Sequence, residues 1–280
     1  MIRRILLCIF IFFISLTYSY AEANSSDFAP FLTSVSAGIE GKKAVTSVLR
    51  VKCSLKDMGT GFLHKSGNVI TAAHVIEGCS NSDISLITPT GDSIKVESVI
   101  SDSLLDLSLI KPKEKIIGDS LTISSAEQAT IGELVATWGY PYGYSGIRPI
   151  LTVGYLSGED FVKCNDGKIQ QRWVINAAFN LGNSGGPVIN VRDGTIIGVV
   201  SSKLTPIPSD LEKAIRAMSE TTEGVQYKKT HPDGSVEKMS EAQVIAELLN
   251  YFRGQTQLVI GHAIKLGDIQ KFLKNNSIEP

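Results

Sequence analysis

The 280-residue sequence predicts an all-β protein: two six-stranded antiparallel β-barrels, a C-terminal helix and an α/β insertion. Two observations predict it. Short apolar or alternating runs rich in β-branched residues recur along most of the chain, separated by Gly-, Asn-, Asp- and Pro-bearing turns, and they fall into two sets of six. One long stretch before the last run switches to helical spacing.

The first set of strands lies near 45–53, 61–64, 69–72, 84–87, 94–100 and 107–110, so barrel 1 spans 44–111. Its turns include Lys65-Ser66-Gly67-Asn68 and Thr88-Pro89-Thr90-Gly91-Asp92, both suited to hairpins. The second set lies near 134–138, 151–161, 172–175, 187–189, 196–202 and 258–264, within a second barrel spanning 130–280. Beyond it, Ile269, Phe272 and Leu273 keep helical spacing and predict a closing helix.

The insertion covers 203–257, about 55 residues where connections commonly run to about 4–6. Ser209-Asp210-Leu211-Glu212 is a capping box, and Leu211, Ile215 and Met218 continue it as a helix. A second box, Ser240-Glu241-Ala242-Gln243, precedes Val244, Ile245, Leu248, Leu249 and Phe252, with Gly254 as the stop. Between them, 225–230 and 235–239 flank His231-Pro232-Asp233-Gly234 and read as a hairpin. A stretch of this size is either a subdomain that packs on the barrel or a lid or docking element beside a cleft.

At the front, Arg3 and Arg4 precede an apolar run over 5–18, shorter than the roughly 20 residues of a membrane span. Small residues at Ser19, Ala21 and Ala23 offer cleavage points, so 1–23 reads as a signal peptide and the protein as exported, periplasmic or secreted. An uncleaved anchor is the competing reading, whereas stable membrane insertion is not expected after cleavage. Cys8 lies inside the apolar run and makes no case for a lipid anchor. Residues 24–43 form an N-terminal segment. Removing the leader leaves Cys53, Cys79 and Cys164, and three cysteines allow three single pairings.

The formal net charge is −1 and 20% of residues are charged, which leaves no electrostatic footprint for nucleic acid and no polybasic membrane patch. No metal and no cofactor is expected.

The segment carrying chemistry is Asn180-Leu181-Gly182-Asn183-Ser184-Gly185-Gly186-Pro187. A serine this densely flanked by glycine sits on a sharp turn, where bare N–H groups can face a reacting carbonyl. Upstream stand Thr71-Ala72-Ala73-His74 and Asp106-Leu107-Ser108-Leu109-Ile110, so His, Asp and Ser follow one of the known chain orders of a nucleophilic triad. A serine hydroxyl is a weak nucleophile without a base, and an imidazole needs an orienting carboxylate. Of the four histidines, His64, His231 and His262 lack the Thr-Ala-Ala context of His74. Asp102 competes with Asp106 for the acid, but it lies in a Ser-Asp-Ser turn cluster while Asp106 opens a strand pattern.

Together these motifs resemble the trypsin-like serine proteases, closest to the bacterial HtrA (Deg) branch. The likeness runs over about 44–202 and again over 258–273. It implies a protease domain over 44–280, without the PDZ module usual in that branch, that hydrolyses peptide bonds of protein or peptide substrates. By the resemblance, His74 is the base, Asp106 the acid and Ser184 the nucleophile. Gly182 and Ser184 supply the oxyanion N–H groups, and the Ser201 hydroxyl supports Asp106. The pocket for the residue before the scissile bond involves Ala178 at its floor, with Ser201 and Ser202 alongside. No acid stands at 178, so a small or medium apolar residue is expected there. Lys203 at the rim reads either as an attraction for acidic residues or as a solvated lysine.

The same resemblance favours pairing Cys53 with Cys79, which bracket His74 as in relatives with a histidine-loop disulfide. Asn183 stands where digestive zymogens carry an aspartate, so activation by a freed N-terminus is not expected. A homotrimer held by N-terminal segments is implied by the family alone, with Phe28 and Phe31 available for it. Three classes follow: protein quality control or processing outside the cytoplasm, a secreted protease aimed at host proteins, and a non-catalytic chaperone or binding scaffold.

Overall fold

The computed structural model describes residues 38–54, 59–125, 129–163, 169–203, 209–231, 234–255 and 260–280. The signal-peptide reading, Phe28, Phe31 and Cys164 lie outside the described residues. Barrel 1 is built from β1 (Val48–Cys53), β2 (Gly59–Leu63), β3 (Val69–Ala72), β4 (Ile84–Ile87), β5 (Ser93–Asp102) and β6 (Leu107–Pro112). Its strands close in the order β1-β2-β3-β6-β5-β4, all antiparallel. Leu49, Val51, Leu86, Ile94 and Ile110 fill its interior. Closure leaves no free sheet edge in either barrel.

Barrel 2 uses β7 (Leu134–Gly139), β8 (Ile150–Lys163), β9 (Ile169–Asn176), β10 (Pro187–Asn190), β11 (Ile196–Lys203) and β14 (Gly261–Lys265), closed as β10-β11-β14-β9-β8-β7. Val135, Leu156, Trp173, Ile175, Val200 and Ala263 form its core. A third cluster spans the seam between the barrels. It joins Phe62, Ile70 and Leu107 of barrel 1 to Trp138, Tyr140, Val199 and Ile264 of barrel 2, and takes in Ile269, Phe272 and Leu273 of the C-terminal helix α5 (Leu266–Asn275).

One expectation is corrected. Residues 45–47, read as the start of the first strand, are the end of a helix, α1 (Gly38–Ser47). Ala44 and Val48 are four apart and both fully buried, so helical and strand periods each place them inward; the Ser47 hydroxyl, bonded back to Lys43 O at 2.5 Å, ties the turn into the helix. A short helix α2 (Ala73–Ile76) follows β3.

The insertion folds as α3 (Ser209–Glu220), β12 (Gln226–Thr230), β13 (Val236–Ser240) and α4 (Glu241–Gln255). The hairpin pairs Thr230 with Val236, and α3 packs on α4. The box at Ser240 is formed in both directions: Gln243 N–H donates to Ser240 Oγ at 3.2 Å, and Ser240 N–H donates to Gln243 Oε1 at 2.8 Å. No helix among the described residues is long and apolar enough to cross a membrane.

His64 closes the turn between β2 and β3. Its Nδ1 accepts the Ser66 N–H at 3.3 Å, and burial together with neighbouring Lys65 lowers the imidazole to about 4. An unfolded imidazole takes its proton near about 6.5, so between those values the unfolded chain binds more protons and the fold loses stability as pH falls. Urea unfolding at about pH 7 and about pH 5 is expected to show a larger loss in the wild type than in His64→Gln, which has no such proton to take.

Candidate active site

Adjacent strands bring the first two residues together. β3 pairs with β6, Ala72 opposite Leu107, so His74 on α2 and Asp106 before β6 emerge side by side. The Ala73 N–H donates to Asp106 O at 3.0 Å and the His74 N–H to Asp106 Oδ1 at 3.1 Å. His74 Nδ1 lies 2.9 and 3.0 Å from the two Asp106 carboxylate oxygens, which orients the ring and places its proton on Nδ1. Asp106 adopts a φ of 60°, a left-handed conformation uncommon for a non-glycine residue. Burial pushes its carboxyl up, but the hydrogen bond and charge of His74, the Ser201 hydroxyl and the His74 N–H outweigh it and hold the group below its ordinary value.

Ser201 on β11 joins this pair to Ser184. Its hydroxyl donates to Asp106 Oδ2 at 2.6 Å, and its carbonyl accepts the Ser184 hydroxyl at 3.0 Å. Ser184 therefore shares a network with His74 through Ser201; in this resting arrangement its proton points to the carbonyl and not to the imidazole. Asp102 is elsewhere, accepting the N–H groups of Leu104 and Leu105 at 3.0 and 2.9 Å as a turn cap.

The Ser184 turn is fixed from barrel 1. Thr60, fully buried on β2, donates from Oγ1 to Gly182 O at 2.6 Å and accepts there the Tyr140 N–H at 3.0 Å. Its N–H donates to Ser184 O at 2.9 Å, and its carbonyl accepts the Thr71 hydroxyl at 2.7 Å. On the other side of the turn, Leu181 O accepts the Tyr142 N–H at 2.6 Å. Since the peptide is trans, the Gly182 N–H points away from that carbonyl. Neither this N–H nor that of Ser184 meets a protein acceptor among the described residues.

Gly182 has a φ of 92°, and a Cβ there would lie 2.3 Å from Tyr140 O. Only glycine fits that backbone.

The remaining sequence-predicted residues are placed as follows. Ala178 is half-buried on the loop after β9, while Ser202 and Lys203 lie on β11 opposite His262 and Gly261 of β14. A disulfide joins Cys53 to Cys79 with Cα atoms 6.3 Å apart, linking the end of β1 to the turn after α2. A cleft of about 610 Å³ opens on the outer side of His74 and Asp106, lined also by Ser103, Leu104, Arg172 and His262. Sequence reasoning missed Thr60. The only local signal was a hydroxyl residue between two glycines on an apolar strand, Gly59-Thr60-Gly61.

Residues 59–199 match the family model described as a trypsin-like peptidase domain. The chain belongs to that family. It is 31% identical over 199 residues to the serine protease Do-like HtrA of Lactococcus lactis subsp. lactis (strain IL1403), covering 68% of this chain and 46% of that protein. It is also 31% identical over 151 residues to a probable periplasmic serine endoprotease DegP-like of Halomonas elongata, covering 54% of this chain and 30% of the relative. This peptidase-family chain thus spans about half the length, or less, of these curated relatives. Among solved structures it resembles the active form of the Rv3671c protease from M. tuberculosis, with a TM-score of 0.58, 17% identity and 88% of each chain covered. The HtrA-type protease AlgW with tripeptide gives a TM-score of 0.56 at 17% identity, over 87% of this chain and 65% of AlgW. These two likenesses speak to the fold.

Replacing Thr60 by valine keeps the shape but strands Gly182 O and the Tyr140 N–H in a buried seam. Thr60→Val is expected to lower unfolding free energy by about 1–3 kcal/mol, read by urea denaturation, while Thr60→Ser retains most of it.

Proposed function

We propose that the chain is an exported serine endopeptidase of HtrA-like type, acting in protein quality control or processing outside the cytoplasm. The observation that supports it most is the continuous network His74–Asp106–Ser201–Ser184, with two outward N–H groups beside the serine. In the reaction, Ser184 Oγ leaves the Ser201 carbonyl and turns to His74 Nε2. It attacks the substrate carbonyl carbon as its proton passes to the imidazole. Asp106, held ionised, stabilises the imidazolium.

The oxyanion is bound by the N–H groups of Gly182 and Ser184, each donor worth about 3–4 kcal/mol in comparable sites. His74 then protonates the leaving amine, and the C–N bond breaks to leave an acyl group on Ser184. A water, deprotonated by His74, attacks the acyl carbon; the carboxylic acid departs and Ser184 regains its proton.

Export rests on the signal-peptide reading of 1–23, and the name of the Halomonas relative includes a periplasmic setting. Ala178 offers no charge to the residue before the scissile bond, which favours an apolar one. The alternatives stay defined by tests. A scaffold without activity takes no covalent label, whereas a secreted enzyme acting on host proteins labels and is recovered outside the cell.

A fluorophosphonate is expected to label the wild type and leave Ser184→Ala unlabelled, and peptide hydrolysis in that variant is expected to fall by about a millionfold in kcat. Equal labelling of both proteins would remove Ser184 as nucleophile.

A further inference from the structure

Two side chains of barrel 2 reach across the seam to the loop that carries Asp106. Gln170 and Arg172 stand two apart on β9 and so project from the same face of the strand. Gln170 Nε2 donates to Leu104 O, and Arg172 Nη2 donates to Leu105 O at 3.1 Å. The same guanidinium steadies its neighbour, donating from Nη2 to Gln170 Oε1. Its Nη1 lies 3.7 Å from Asp268 Oδ2, in the first turn of α5. Arg172 is only 5% exposed, and the strand runs on from it to Trp173 and Ile175 of the barrel core. A guanidinium is costly to bury and stays inside only with its charge and donors met; here a carboxylate, an amide oxygen and a main-chain carbonyl meet them.

The carbonyl that Arg172 holds is the one immediately before Asp106. Asp102 takes the N–H groups of Leu104 and Leu105 from within barrel 1, and barrel 2 takes their carbonyls. The Leu105–Asp106 peptide is trans, so fixing its carbonyl also fixes the direction of the Asp106 N–H. The peptide plane on the other side is fixed by the Ala73 N–H, which donates to Asp106 O at 3.0 Å. Asp106 therefore turns between two clamped planes. Its φ of 60° is a conformation it would leave for a more ordinary one if either clamp were released. That change would swing Cβ, and the carboxylate with it, away from His74 Nδ1.

Resting on the endopeptidase reading, we infer that Arg172 is a positioning residue for the reaction: from barrel 2 it holds the Leu105–Asp106 peptide in the orientation that keeps the acid on His74 Nδ1. It acts through the main chain of the acid and not on the substrate. The bond it makes is charge-assisted, which suits a single contact that must hold a strained residue. Each barrel thus secures the other's contribution to the site. Thr60 of barrel 1 holds the serine turn, and Arg172 of barrel 2 holds the acid.

The test compares the wild type with Arg172→Met and Asp268→Asn in peptide hydrolysis, with active sites counted by exhaustive fluorophosphonate labelling and folding checked by circular dichroism. Methionine fills much of the same space and offers Leu105 O no donor. Arg172→Met is expected to lower kcat by about a hundredfold, short of the roughly ten-thousandfold that follows loss of the acid itself in a comparable triad. Its KM is expected to stay within about threefold of the wild-type value. The proton between His74 Nδ1 and Asp106 is expected to give a low-field proton resonance in the wild type that weakens or moves upfield in Arg172→Met. Asp268→Asn keeps the guanidinium and its bond to Leu105 O, and its kcat is expected to fall by no more than about threefold. Should Arg172→Met fail to fold, Arg172→Met with Asp268→Leu removes both charges of the pair and is expected to show the same loss of kcat.

A folded, labelled Arg172→Met with the wild-type kcat and resonance overturns the inference and leaves the hydrolase standing. So does a raised KM with kcat unchanged, which would put Arg172 on the substrate. An equal loss in Asp268→Asn also overturns it, since the effect would then belong to the docking of α5. A wild type that takes no label refutes the endopeptidase reading and this inference with it.

Discussion

The seam at Thr60 is the constraint on which the site depends. The acid–imidazole pair belongs to barrel 1 and the serine turn to barrel 2, so their alignment is only as good as the registry between two separately closed barrels. Four hydrogen bonds meet at this one residue, and three of them cross to barrel 2: Gly182 O, Ser184 O and Tyr140 N. Because all are buried, slipping the barrels would leave several polar groups unpaired at once, each at a cost larger than the bond itself contributes when formed. Gly59 beside Thr60 makes the approach close enough; a Cβ there would lie 3.2 Å from Ser184 O. Arg50 reinforces the same seam, lying 4.6 Å over the Tyr140 ring and donating to Gly146 O.

Around that seam, polar groups are arranged so that one residue serves two others. Ser201 offers its hydroxyl to Asp106 and its carbonyl to Ser184, so strand β11 fixes the distance between these two residues. Asp106 keeps a strained left-handed backbone that local bonds over-determine: its carbonyl holds Ala73 and its carboxylate holds His74 twice over. Strain of this kind persists only where the surroundings enforce it, and it is concentrated here at the group that orients the imidazole. The disulfide from Cys53 to Cys79 adds a covalent tie just beyond α2, on the far side of the same histidine.

What could be read from the chain was whatever is local. Strand runs with turn residues between them placed both barrels, and the boxes opening the insertion's helices were legible because capping is a matter of four consecutive residues. Ala44 and Val48 misled because an interval of four residues is inward-facing in either period. The cysteine pairing was open in the bare sequence, since connectivity depends on where β1 ends in space. Thr60 was invisible for a related reason: its partners at Tyr140 and Gly182 lie 80 and 122 positions away.

The central claim is that barrel 1, through Thr60, holds the Ser184 turn with its N–H groups facing the reacting carbonyl. A crystal structure of the fluorophosphonate adduct tests this most directly. The account predicts the phosphoryl oxygen between the N–H groups of Gly182 and Ser184, with Thr60 still bonded to Gly182 O and Leu181 O still on Tyr142. An adduct in which the Leu181 carbonyl has turned toward the phosphoryl group, with the Thr60 contacts broken, would contradict it.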